Sequence, residues 1–208
     1  MESLRIAPVI AILRGITPET VLPVCEALVA GGIKCIEVTL NSPRPLESIE
    51  RAAAALAPRG IQIGAGTVLR DSEVTAVAKA GGTYIISPNW DPGVIRRTRD
   101  LGLISIPGVF TPSEAFAALA VGAHLLKFFP VGRLGPGYLK DLQAVLPAPI
   151  VAVGGVDDTN AARYLEAGAQ AVGIGSALYR PGSPPKDIRQ RAAALMKMVS
   201  PAPPSAQP

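Results

Sequence analysis

Residues 149–176 read PIVAVGGVDDTNAARYLEAGAQAVGIGS and contain one whole structural repeat. Pro149–Val153 is short, apolar and β-branched, and it stops at Gly154-Gly155. Asp157 and Asp158 offer a helix opening, and Ala167-Gly168 offers a helix closing. Ala171–Ile174 is a second apolar run that stops at Gly175-Ser176. Strand, helix and strand in so short a span make the parallel βα unit.

The pattern extends back along the chain. Pro8–Leu13 runs into Arg14-Gly15, Ile33–Leu40 into Asn41-Ser42-Pro43, and Ile61–Ala65 into Gly66-Thr67. Tyr84–Ile86 ends at Ser87-Pro88, Leu103–Ile106 at Pro107-Gly108, and His124–Phe129 at Pro130. The intervening segments have helical spacing with recognisable ends. Thr17-Pro18-Glu19 reads as an opening with Thr as N-cap and Pro in the first turn, closed by Gly31-Gly32. Asp71 and Thr111-Pro112 open others; Ala80-Gly81 and Val121-Gly122 close them. Eight such strands alternating with eight helices predict an α/β fold, a single-domain (β/α)8 TIM barrel over residues 1–199. A doubly wound open sheet is the alternative. The last helix is expected from Pro185 to Val199. Residues 200–208, rich in proline, have nothing to bury and are expected to form a disordered tail.

Composition narrows the function. The 208 residues are 49% hydrophobic, enough for a large core, and glycine and proline at 21 each fall short of a low-complexity chain. The net charge of +4 comes from scattered Lys and Arg, and aromatics are only 4%, so a nucleic-acid surface with a basic stripe is disfavoured and small anions suit the balance better. The single histidine, His124, and two cysteines, Cys25 and Cys35, give no cluster with zinc spacing. His124 opens a strand and reads as structural; the cysteines read as small buried hydrophobes in a reducing compartment. The start of the chain has no signal-peptide pattern and no run is long enough to cross a membrane, which predicts a soluble, cytoplasmic protein.

Barrels of this kind place reactive groups at the C-terminal ends of the strands. Arg14, Glu37 and Lys127 fall there amid apolar sequence. Strand alternation puts Cys35, Glu37 and Thr39 on one face, and Leu125, Lys127 and Phe129 on another. If both faces point inward, a carboxylate and an amine meet at the barrel mouth. A structural salt bridge is the bland explanation, although burying charge costs several kcal/mol. The functional one is a nucleophilic amine. Desolvation and a neighbouring cation such as Arg14 would lower the Lys127 pKa below its usual value of about 10.4. Glu37 would then move protons at the adjacent carbon. The remaining lysines (Lys34, Lys79, Lys140, Lys186 and Lys197) lie at strand starts or on helices and read as solvated charges.

The turns after the last two strands, at Gly154-Gly155 and Gly175-Ser176, bring bare backbone N–H groups to one spot, as a phosphate needs. Tight βα turns alone would also use these glycines. Gly64-Ala65-Gly66-Thr67 is a weak dinucleotide signal, lacking the third glycine and a partner acid, so Thr67 reads better as a hydroxyl donor. Pro88, Pro107, Trp90 and Phe129 read as strand punctuation or apolar side chains that also wall a pocket.

Glu37-Val-Thr-Leu40, Gly64-Ala-Gly-Thr67, Ser87-Pro88, Pro107-Gly108, Lys127-Phe-Phe-Pro130 and Gly154-Gly155 together resemble, in order, the 2-keto-3-deoxy-6-phosphogluconate/4-hydroxy-2-oxoglutarate aldolase family. Arg14-Gly15-Ile16, Leu40-Asn41-Ser42-Pro43, Gly135-Pro136 with Tyr138-Leu139-Lys140, and Gly175-Ser176 with Leu178-Tyr179-Arg180 look most like its galactonate branch. The resemblance implies a class I aldolase acting on a phosphorylated keto-deoxy sugar acid, with neither metal nor other cofactor, assembled as a homotrimer. It implies Lys127 as the Schiff-base residue and Glu37 as the acid/base acting through a water. Arg14 and Thr67 would hold the pyruvate carboxylate, and Pro88 and Phe129 would shape the pocket. Gly154, Gly155, Gly175 and Ser176 would cradle the phosphate. Asn41 stands where the gluconate branch commonly has arginine, which favours the galactonate series; Val38-Thr39 is closer to the gluconate branch. A gluconate-series or dual-specificity aldolase is the first alternative; a phosphosugar isomerase using Glu37 as base and a non-catalytic anion-binding barrel are the other functions open to these residues.

Overall fold

The computed structural model describes residues 6–199, so the proline-rich segment expected as a tail lies outside the described residues. From the N-terminus the elements are β1 (Val9–Leu13), α1 (Val21–Ala30), β2 (Cys35–Thr39), α2 (Pro45–Leu56), β3 (Gln62–Gly66) and α3 (Asp71–Lys79). Next come β4 (Tyr84–Ile86), α4 (Pro92–Asp100), β5 (Ile104–Ile106), β6 (Gly108–Val109), α5 (Pro112–Val121) and β7 (Leu126–Phe128). The last described elements are α6 (Gly135–Gln143), β8 (Ile150–Val153), α7 (Ala161–Glu166), β9 (Ala171–Ile174) and α8 (Pro185–Val199).

All strand pairs are parallel, in the order β5-β4-β3-β2-β1-β9-β8-β7-β6. The two ends of that order, β5 and β6, are separated in the chain only by Pro107, so the ring is closed by the chain itself. The fifth expected strand therefore continues past Pro107 instead of ending there. Proline has no N–H to donate, so pairing changes partner at this point. Upstream, β5 follows β4; downstream, β6 follows β7, and the Pro107 carbonyl accepts from the Lys127 N–H at 2.9 Å. At the base of the barrel, His124 and Leu125 both donate to the Ser105 carbonyl (3.0 and 3.2 Å), which bonds the two halves across the join.

Strand alternation sorts the core into two layers. Val9, Ala11 and Leu13 of β1, Ile36 and Val38 of β2, and Ile150 and Ala152 of β8 pack outward against the helices. Ile10, Ile12, Cys35, Tyr84, Ile86, Ile106, Leu125, Val151 and Val153 fill the barrel interior. Each large side chain so buried contributes roughly 1.5–3 kcal/mol, so two full layers readily offset a few desolvated polar groups at one end of the barrel.

The helix ends follow the expected chemistry with two differences. Thr111 and Glu114 form a capping box at α5, and Asp91 accepts the Val94 N–H (2.9 Å) at α4. Thr17-Pro18 does not open α1 directly: the Thr17 carbonyl takes the N–H groups of Thr20 and Val21 in a turn, and α1 begins at Val21. Asp157 likewise precedes its helix: its carboxylate accepts from the Thr159 backbone N–H (2.9 Å) and the Thr159 hydroxyl (2.6 Å), while α7 starts at Ala161.

Candidate active site

β2 and β7 approach the same cavity from different sides of the ring. Glu37 projects from β2 and Lys127 from β7; they are 2% and 6% exposed, so both are removed from bulk water. Each shares its face with a barrel-interior residue two positions earlier, Cys35 and Leu125 respectively, as alternation requires. Both line one cavity of about 720 Å³ at the barrel mouth.

The glycines of β3 make this arrangement possible. A Cβ on Gly66 would collide with the Glu37 carboxyl group, and one on Gly64 would collide with the Tyr84 ring. The Gly64-Ala65-Gly66 stretch is thus a pair of notches. One lets the Glu37 side chain lie along the barrel wall, and the other admits Tyr84 to the interior beneath it.

Burial lowers the Lys127 pKa from the ordinary lysine value; the Glu37 charge opposes that shift and the Arg14 charge adds to it. Burial raises the Glu37 pKa, against the pull of Lys127 and Arg14. Each environment favours the uncharged form. The ion pairs of the described residues lie on the surface, and none joins Glu37 to Lys127. The Lys127 Nζ instead sits 4.8 Å from the centre of the Phe129 ring. A lysine kept partly desolvated without a direct counter-ion is the electronic state a nucleophilic amine needs.

Arg14 and Thr67 enter the cavity from the loops after β1 and β3. Thr67 holds a left-handed backbone, φ 59°, uncommon for a β-branched residue. The Arg14-Gly15 loop is fixed by a buried network: the Gly15 N–H donates to Ser42 Oγ (2.9 Å), and Ser42 Oγ lies 3.1 Å from Thr39 Oγ1. Pro88 and Phe129 line the wall.

At its β8 and β9 end the cavity is lined by Gly154, Gly155, Gly175 and Ser176. Gly154 and Gly155 have φ of 88° and 78°. Their Cα atoms face Phe129, Pro130 and Gly132 so closely that side chains would not fit. No intramolecular backbone bond among the described residues uses the N–H groups of Gly155 or Ser176. That end can therefore receive an anion.

Asn41 does not line the cavity. The Ser42 N–H closes a turn onto the Thr39 carbonyl (3.0 Å), which carries Asn41 to the exposed outside while Ser42 points in. Three residues with polar side chains that were not expected as site residues also line it: Asp157, Tyr179 and Arg180. Asp157 was marked in the sequence only as a helix opening, while Tyr179 and Arg180 stood in the stretch that resembles the galactonate branch, without a role. His124 is remote from the mouth and accepts the Ser105 N–H at 3.0 Å, a structural contact. Cys25 and Cys35 are buried free thiols, pushed up by burial to about 12 and about 11. Among the described residues no group of three or more His, Cys, Asp or Glu is placed to hold a metal ion.

A family model described as KDPG and KHG aldolase matches residues 1–190. A Rhizobium meliloti protein named probable 2-dehydro-3-deoxy-6-phosphogalactonate aldolase is 49% identical over 191 residues, covering 91% of this chain and 90% of the relative. A solved structure described as native KDPGal superposes with a TM-score of 0.91 at 42% identity, over 95% of this chain and 97% of that one. A designed cube-shaped protein cage, made by fusing symmetric oligomeric domains, matches with a TM-score of 0.89 at 43% identity, over 92% of this chain and 72% of its own.

Proposed function

The chain belongs to the KDPG and KHG aldolase family, and we propose that it is a class I aldehyde-lyase that reversibly cleaves 2-dehydro-3-deoxy-6-phospho-D-galactonate to pyruvate and D-glyceraldehyde 3-phosphate. The observation that carries the reading is the convergence of buried Lys127 and buried Glu37 on one cavity without a direct ion pair between them.

The neutral Lys127 Nζ adds to the C2 carbonyl carbon of the keto acid; protonated Glu37 gives its proton through a water to the carbinolamine hydroxyl, which leaves as water, so that a protonated imine and the Glu37 carboxylate remain. Glu37, as carboxylate, takes the C4 hydroxyl proton through a bound water. The C3–C4 electron pair moves into a C2–C3 double bond as the imine nitrogen accepts the π electrons, and the aldehyde leaves. Glu37 returns the proton toward C3 of the enamine, and water hydrolyses the imine to pyruvate and free lysine. Arg14 and the Thr67 hydroxyl hold the substrate carboxylate beside C2, while Pro88 and Phe129 shield the imine. Gly154, Gly155, Gly175 and Ser176 receive the 6-phosphate at the far end.

Two further features complete the reading. The assembly is a homotrimer: Phe110 and Phe116, on either side of the start of α5, are 41% and 48% exposed, and large apolar surface of this kind favours burial between subunits. The designed cage is built from symmetric oligomeric domains, which supports the same view. The protein works in the cytoplasm, where buried free thiols stay reduced; no described helix is long and apolar enough to cross a membrane.

Borohydride reduction in the presence of pyruvate should attach a three-carbon acid to Lys127, located by peptide mass spectrometry. Steady-state cleavage of the two C4-epimeric phosphorylated substrates should favour the galactonate epimer. Absence of the adduct defeats the aldolase reading; preference for the gluconate epimer defeats the substrate assignment alone.

A further inference from the structure

Arg180 stands where two cavities meet. It lines the catalytic cavity beside Ser176, and it also lines a side pocket of about 300 Å³ with Ser176, Ser183 and Arg191. Its backbone N–H donates to Ser183 Oγ (3.3 Å) and its Nε to the Ser176 carbonyl (3.2 Å). The guanidinium is therefore anchored to the loop that presents the Ser176 N–H, and among the described residues no hydrogen bond engages either Nη. Among the described residues no carboxylate forms an ion pair with Arg180. No acidic residue lines the side pocket, and Asp157, the carboxylate nearest this end in the main cavity, is already taken by Thr159. Arg191 faces only the side pockets, and its Nη1 reaches the Leu178 carbonyl at 3.5 Å.

Resting on the aldolase reading above, we propose that Arg180 reads the charge of the substrate's terminal phosphate and so sets the preference for phosphorylated over unphosphorylated keto acids. The glycine turns cannot set that preference alone, because backbone N–H groups donate to the oxygen of a neutral hydroxyl as well as to that of an anion. A guanidinium with two free Nη groups carries a whole charge in a fork that matches phosphate oxygens. Its Nε anchor fixes the head, so little side-chain entropy is lost when the phosphate arrives.

The test compares the wild type with Arg180→Gln, Arg180→Lys and Arg191→Gln on two substrates, the 6-phosphorylated keto-deoxy acid and its unphosphorylated counterpart. Arg180→Gln should lower kcat/KM for the phosphorylated substrate about 10- to 100-fold, mainly through KM, and leave the unphosphorylated one within about twofold. Arg180→Lys should recover part of the loss, since it keeps the charge and loses the fork. Arg191→Gln should stay within about threefold on both. Pyruvate trapping at Lys127 by borohydride should be equal in every variant. An equal loss on both substrates, no loss on the phosphorylated one, or an equal loss from Arg191→Gln overturns the assignment while trapping persists. A wild type that traps no pyruvate overturns the aldolase reading and this assignment with it.

Discussion

Gly66 lies against the carboxyl group of Glu37, so closely that a single methyl group on its Cα would occupy the carboxyl's place. Position 66 therefore controls where the acid/base stands, though it bears no functional group. Gly66→Ala should displace Glu37 and reduce kcat on the order of 100-fold, because misplacement of a reacting group by about 1 Å has that effect. It should also cost about 1–3 kcal/mol of stability, as overpacking does. Trapping of pyruvate on Lys127 should survive, since imine formation needs the amine in place first. Loss of turnover with trapping retained, read beside a denaturant melt, checks the claim.

The Lys127 amine must be neutral to attack a carbonyl. Its pKa is lowered by burial, with Glu37 opposing and Arg14 assisting. The rate of borohydride trapping should accordingly rise with pH and level off below the ordinary lysine range. Removing the Arg14 charge removes a nearby cation that disfavours the charged lysine, so Arg14→Gln should move the plateau to higher pH at saturating pyruvate. A plateau that stays put, or moves to lower pH, contradicts the electrostatic role of Arg14.

Ser42 holds the Arg14-Gly15 loop through the Gly15 N–H (2.9 Å) and is itself in contact with Thr39. Ser42→Ala removes the acceptor and leaves the Gly15 N–H unsatisfied beside a buried site. The expected cost is about 1–2 kcal/mol in stability. The pyruvate KM should rise several-fold while kcat changes little, because the loop orients Arg14, which holds the substrate carboxylate, and not the amine. Ser42→Thr, which keeps the hydroxyl, should recover most of the KM.

Much of this site was legible because strand periodicity is a strong physical constraint. Alternation alone put Glu37 beside Cys35 and Lys127 beside Leu125 on faces whose earlier residues now fill the barrel interior. The boundaries of β4 and β9 follow from their flanking turns, and Gly154-Gly155 and Gly175-Ser176 mark the two loops that line one end of the cavity. What stayed hidden depends on contacts between distant segments. Nothing local says that Gly64 clears space for Tyr84 or that Gly66 clears space for Glu37, since each partner lies on another strand. The continuation of a strand through Pro107 also needs both neighbours, because proline's missing N–H normally ends a ladder. Asn41 and Ser42 are adjacent polar residues in a turn, and only the turn's direction says which one points inward. Arg180 stood in a stretch that resembles the galactonate branch, but without a role until the fold placed it at the cavity wall.

Thr67 supplies the last prediction, and it separates stability from activity. Its φ of 59° places a β-branched residue in the left-handed region, where an L side chain costs roughly 1–2 kcal/mol. Such strain persists where the surroundings impose it and commonly marks a working residue. Thr67→Gly relieves the strain but makes the unfolded chain freer, which returns roughly 0.5–1 kcal/mol. The folded state should therefore be unchanged or more stable by up to about 1 kcal/mol. The same variant loses the hydroxyl that faces the cavity, so the pyruvate KM should rise about tenfold, the value of one hydrogen bond to a charged group. Thr67→Ser keeps the hydroxyl and drops the β-branch; it should hold the KM near wild type. Denaturant melts and trapping kinetics on the two variants settle the matter: a Thr67→Gly protein that loses stability, or one whose KM matches that of Thr67→Ser, denies Thr67 its place at the carboxylate.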